Sequence, residues 1–141
     1  LFPMPDQFSP AERSRIMRAV KSGDTTPELI VRRLVHGLGF RFRLKNRVLP
    51  GSPDLVLPRL GKAIFVHGCF WHRHACAAGQ STPAARADYW QAKFDRNVLR
   101  DRSNLRKLRR LGWSVLVVWE CQTGVRKRQM LQRRLVRFLD G

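Results

Sequence analysis

Acidic side chains are scarce in this chain: 10 Asp plus Glu stand against 28 Lys plus Arg, a formal charge of +18. Most of the cations therefore have no carboxylate to meet, which excludes a surface balanced by its own ion pairs. Cysteine is sparse as well. The three present (Cys69, Cys76, Cys121) are an odd number, which argues against a disulfide framework and leaves thiols for other chemistry. Long apolar runs are missing too. None nears the roughly 20 residues that cross a bilayer, and no signal-peptide pattern opens the chain, so a cytoplasmic protein with no membrane partner is expected. At 141 residues the chain suits one core and is too short for two.

What is abundant is arginine. Unneutralised positive charge opposes compaction unless something binds it, and a polyphosphate backbone is the commonest partner that does. Arg greatly outnumbers Lys, and its planar fork pairs with phosphate in a bidentate way. Nucleic acid is the partner that composition favours.

Residues 1–8 contain Pro3 and Pro5 without periodicity and read as a flexible arm, leaving 9–141 as one domain. Ser9-Pro10-Ala11-Glu12 is a capping-box start for a helix to about Val20. Thr26-Pro27-Glu28 opens a second, with Ile30, Val31, Leu34, Val35 and Leu38 on one face and Gly39 as its stop. Alternation over Phe40–Leu44 marks a half-buried strand, Asp54–Leu57 resumes extended structure, and Ala63–Val66 is a short central strand. Residues 68–88 carry no core pattern and read as a long irregular loop, which usually has a function or a clip. A long helix is expected from Tyr89 to Leu111 and a buried strand from Ser114 to Trp119. The last element is a basic helix from Arg126 to Leu139 with Met130, Leu131, Leu135 and Phe138 inside. Three strands able to form a meander, then a crossover helix and a parallel strand, give an α/β domain: a mixed β-sheet flanked by helices.

The densest chemistry lies in Val66–Cys76, which holds three of the four His and two of the three Cys. Cys69, His74 and Cys76, joined by Cys121 beyond the last strand, would make a closed Cys3His tetrahedron, the pattern of a structural zinc site. The plain alternative is three unrelated thiols, but a loop this poor in apolar residues needs folding energy that a metal would supply. His67 and His72 are left over. A packed or metal-supporting His67 is as natural as a catalytic one, whereas His72, after two aromatics in a loop, is harder to explain as structural. Lys93, Asn97 and Asp101 recur at intervals of four and share a helix face. A solvated stripe is the bland reading; a carboxylate there could also hold an imidazole in one tautomer. Glu28 suits the helix dipole as well as it suits a site. Asp54, at the lip of a strand in a chain of charge +18, stands where a hard cation and a phosphate could meet. Phe70 and Trp71 would ordinarily be core, yet exposed aromatics in a DNA-binding chain can wedge between base pairs. Met17 is a weaker candidate for the same work.

These residues together resemble the very short patch repair (Vsr) endonucleases of bacteria. The matching strings are Arg13–Ala19, Leu49–Asp54, Ile64–His72, Asn97–Asp101 and Leu111–Cys121, in collinear order over about residues 10–123. The resemblance implies a restriction-endonuclease-like αβββαβ core and nicking 5′ of the thymine in a T:G mismatch left by deaminated 5-methylcytosine. It implies Asp54 as the magnesium carboxylate and Val66, where members carry Thr, as a further magnesium ligand through its backbone carbonyl. His72 would be the general base and Asp101 its support, with Glu28, His67 and Asn97 around them. Cys69, His74, Cys76 and Cys121 fall on the family's zinc ligands. Phe70, Trp71, Met17 and Trp90 fall on contacts near the mismatch, with Lys93 beside them on the DNA. Ile64-Phe65-Val66 stands where the wider fold has a second acid and a lysine.

A magnesium-dependent nickase with a structural zinc is the reading these residues favour. It would be a monomer on double-stranded DNA, nucleoid-associated, working beside other mismatch-repair proteins. Two rivals differ in consequence: a nickase of a mobile element or restriction system that cuts matched DNA, and a zinc-stabilised DNA-binding module without catalysis. An RNA-binding domain is disfavoured, since no sheet of stacking aromatics is legible.

Overall fold

The computed structural model describes residues 25–141. The arm at 1–8, the helix expected over Ser9–Val20, and Met17 lie outside the described residues. Helix α1 (Thr26–Gly37) starts at a full capping box: Glu28 N–H donates to Thr25 Oγ1 at 3.4 Å, and Thr25 N–H donates to Glu28 Oε2 at 3.2 Å. It buries Val31 and Val35, and Gly39, with φ +95°, turns the chain away after the last helical turn.

Strand β1 (Arg43–Leu44) pairs antiparallel with β2 (Leu55–Leu57), and β2 with β3 (Lys62–His67). The alternation over Phe40–Leu44 yields only two paired residues, Arg43 opposite Val56 and Leu44 opposite Leu55. Phe40 and Phe42 still pack on the core. β3 is longer than Ala63–Val66 because its far neighbour holds both ends: β4 (Ser114–Trp119) runs parallel to it from Lys62↔Ser114 to His67↔Trp119. The sheet order is β1-β2-β3-β4, the meander and parallel return that the element order suggested. β4 is an edge strand, so only Val118 is fully buried, where a buried strand was expected.

Between β3 and β4 run a short helix α2 (Ala77–Gln80), inside the stretch expected to be irregular, and the long α3 (Ala87–Arg110). Two 3-10 turns follow β4, and α4 (Arg128–Asp140) closes the described chain. Met130, expected inside, is 68% exposed. Leu131, Leu135 and Leu139 recur every four residues and take the inward stripe, and Met130 stands about 100° round the helix from it.

One face of the sheet carries the main core: Val31 and Val35 from α1, Leu55 and Leu57 from β2, Ile64 from β3, and the α4 leucines. Strand alternation turns Ala63, Phe65 and His67 to the opposite face, the side of α3. A buried lysine ties the core side to the chain's last turn. Lys62 Nζ donates to the carbonyls of Phe138 (2.6 Å), Leu139 (3.0 Å) and Gly141 (3.0 Å), where an ammonium also meets the negative end of the helix dipole. Lys62→Met should therefore leave three carbonyls without their donor. We expect a loss of about 2 kcal/mol or more, a fall in Tm on the order of 5 °C, measured by thermal unfolding.

Candidate active site

β3 ends at His67, and the chain then folds back on itself. His72 N–H donates to Gly68 O and His74 N–H to Cys69 O, each at 3.1 Å. These turns lay the His72 ring on that of His67, centroids 3.9 Å apart and 6° from parallel. Asp101, from α3, meets His72 Nδ1 at 2.6 Å through Oδ2. A carboxylate can only accept, so Nδ1 carries a proton, and the neutral ring held in this way has its lone pair on Nε2. Burial and the neighbouring His72 push His67 down to about 3, against the pull of Asp101. His67 is thus a neutral platform, which adds no repulsion when the ring stacked on it takes up a proton.

Asp54 sits just before β2 and accepts the Val66 N–H at 2.7 Å. Burial, only partly offset by that hydrogen bond, and the nearby Glu28 carboxylate raise its carboxyl from 3.8 to about 7. Glu28 is itself buried and meets Arg32 at 3.6 Å. A buried and a half-buried carboxyl side by side are the donor set that a hard divalent cation relieves of mutual repulsion, so these residues fit magnesium chemically. A cleft of about 470 Å³ has Glu28, Asp54, Val66, His67, His72 and Asp101 on its wall.

The α3 stripe serves the loop rather than solvent. Lys93 lies over the rings of Trp71 (5.5 Å) and Trp90 (5.8 Å), Asn97 Nδ2 donates to Trp71 O at 3.2 Å, and Asp101 holds His72. Asn97 is therefore one step back from the cleft. Phe70 and Trp71 follow the ordinary core reading and not the exposed one: they are 2% and 7% accessible and pack with Trp90 and Phe94. The first turns of α3 supply that apolar wall, and the Arg73 guanidinium caps it, 4.1 Å from the Phe94 ring centroid. Trp90, whose burial matches theirs, belongs to the same cluster.

Cys69, His74, Cys76 and Cys121 offer ligand atoms that all lie within 4.8 Å of one another. His74 Nδ1 is 3.8 Å from Cys69 Sγ and 3.4 Å from Cys121 Sγ, near the edges of about 3.5–3.8 Å that a tetrahedron of metal–sulfur and metal–nitrogen bonds requires. Burial pushes the Cys69 thiol up, far from ionisation, a cost that a bound cation removes. Three features here had little or no signal in the sequence. Trp119 stacks on His74, centroids 4.3 Å apart, and meets His67 edge-on at 5.2 Å. Glu120 accepts the Cys69 N–H at 3.4 Å and lines the cleft; only its place beside Cys121 could have drawn notice. Gly79 in α2 packs so closely that an added Cβ would stand 1.9 Å from His74 O.

Comparison with known proteins gives a consistent picture. A family model described as DNA mismatch endonuclease Vsr matches residues 5–78. A type II nicking enzyme, V.XorIIP of Xanthomonas oryzae pv. oryzae, is 44% identical over 97% of this chain and 98% of its own. The DNA mismatch endonuclease Vsr of Escherichia coli K12 is 40% identical over 98% of this chain and 90% of its own. The type II nicking enzyme V.NmeAIP of Neisseria meningitidis is 36% identical, over 96% and 95%.

Two outcomes follow from the geometry. Gly79→Ala should dislodge the His74 backbone and lower the metal content of purified protein, read by a colorimetric thiol-metal assay; full metal retention would contradict the close approach. Asp54 gives a pH signature without added magnesium. Its carboxyl keeps a proton in the fold that the unfolded chain has released, so stability falls as pH climbs from about 3.8 to about 7. Asp54→Asn should raise the urea midpoint over wild type at pH 8 and much less at pH 4.

Proposed function

The chain belongs to the Vsr family of DNA mismatch endonucleases, and from that premise we propose that it nicks one strand of duplex DNA 5′ of the thymine in a T:G mismatch. The observation that carries this reading is the 2.6 Å bond between His72 Nδ1 and Asp101, in a cleft that Asp54 also lines. Asp101 keeps His72 in the tautomer whose Nε2 can take a proton from water, and stabilises the imidazolium that results. The water oxygen bonds to phosphorus and its proton passes to Nε2; the ester bond to the upstream sugar breaks, and the departing sugar oxygen takes a proton from solvent. His67, neutral beneath the ring, holds its plane.

Asp54, with Glu28 beside it and the Val66 carbonyl as a further donor, would hold magnesium, whose charge offsets the negative charge gained by the phosphate. Because the Val66 contribution is a backbone one, an apolar side chain there is tolerable. Cys69, His74, Cys76 and Cys121 would hold zinc with no open position, a structural role. Phe70 and Trp71, with Trp90 beside them, would read the mismatch by leaving their cluster to enter a weakened base step, where unstacking costs least, and Met17 would be a further contact there. Lys93 would move from their rings to a phosphate. Such a protein works in the cytoplasm on the nucleoid, as a monomer, alongside other mismatch-repair proteins.

A second reading has its own support: V.XorIIP, similar over nearly the whole chain, is named a type II nicking enzyme, which allows a nickase of a restriction or mobile system acting on matched DNA. Labelled duplexes with one T:G mismatch or a matched T:A pair, with and without magnesium, separate the two. Magnesium-dependent cutting of the thymine strand in the mismatched duplex alone is expected; cutting of both favours the second reading, and tight binding without cutting leaves a zinc-stabilised DNA-binding module. His72→Ala should lower the cutting rate by about 10²–10⁴-fold while metal content at the cysteine cluster stays at the wild-type level.

A further inference from the structure

The charge on the cleft wall runs against that of the molecule. Glu28, Asp54, Asp101 and Glu120 all line it, whereas Arg100 is the one lining residue, among those described, with a permanent positive charge. A phosphodiester is an anion that gains charge as water adds, so four carboxyl groups require an opposing cation at the same place. Arg100 stands next to Asp101 on α3, beside the general base. Its Nη2 donates to Asn97 Oδ1 at 2.6 Å, and no salt bridge joins it to a carboxylate among the described residues. One N–H steadies the fork, while a guanidinium has five.

We propose that Arg100 is the phosphate clamp of the cleft, gripping the non-bridging oxygens of the scissile phosphate through the charge added in the transition state. The assignment rests on the nicking reading above and names the group that binds its substrate. Arg102 provides a charge-matched control: exposed, absent from the cleft wall, and about 200° round the helix from Arg100.

The test is single-turnover nicking of the T:G duplex by the zinc-loaded protein, at saturating enzyme with magnesium, for wild type, Arg100→Ala, Arg100→Lys and Arg102→Ala. Arg100→Ala should cut about 10²-fold or more slowly at saturation, and Arg102→Ala at the wild-type rate. Arg100→Lys should recover part of the loss, since an ammonium supplies charge without the planar fork. Arg100→Ala cutting as fast as Arg102→Ala, with wild type active, would overturn the clamp and leave the nicking reading intact. If wild type cuts matched duplex as well, the mismatch reading falls and the same comparison on that duplex decides the clamp. A wild type that cuts neither overturns both.

Discussion

Everything at the site depends on the parallel register of β3 against β4. Because His67 stands opposite Trp119, the residues two further on, Cys69 and Cys121, leave the sheet at the same end and side by side. Cys121 N–H donates to Cys69 Sγ at 3.3 Å. The cysteine cluster, the Glu120 contact to Cys69 and the Trp119 stack on His74 are all consequences of that alignment. A slip of one residue would turn His67 to the wrong face of the sheet and separate the thiols. Six paired positions along the two strands hold the alignment, and the four-residue donor set closes it like a clasp.

A loop with almost no core of its own is thus fastened at three levels. Backbone turns fold it back, the cysteine and histidine cluster ties it to the end of β4, and α3 receives its aromatic residues and imidazole. The three fastenings converge on His72. This convergence explains how a residue in a long connection can hold the orientation that the proposed proton transfer would require, since such a step depends on tenths of an ångström. Neutral His67 contributes in the same sense, as a flat, uncharged surface.

The carboxyls show the opposite economy. Glu28 sits buried and Asp54 half-buried beside it in a chain of charge +18, where an exposed place beside arginine would serve stability better. Burial raises the Asp54 carboxyl, so the fold keeps an acid where ionisation is unfavourable, a cost that the magnesium proposed there would relieve.

Periodicity determined much of the architecture. The α1 stripe, the break at Gly39, the meander followed by a parallel strand, and the donor set of Cys69, His74, Cys76 and Cys121 were all legible in order and spacing. These are local properties, set by helix and strand periods and by the chemistry of thiol and imidazole. Spacing could also place Lys93, Asn97 and Asp101 on one face, but not say what that face meets. Only the packing of α3 against the loop turned it to Trp71 and His72. The same packing buried Phe70 and Trp71, since α3 supplied Trp90 and Phe94 from about twenty residues away. Met130 lay outside because its stripe was decided by which side of α4 faced the common core. The Lys62 bond to Phe138, 76 residues apart, left no trace in the sequence. Contacts across such separations depend on where whole elements dock, and docking is a property of the assembled fold.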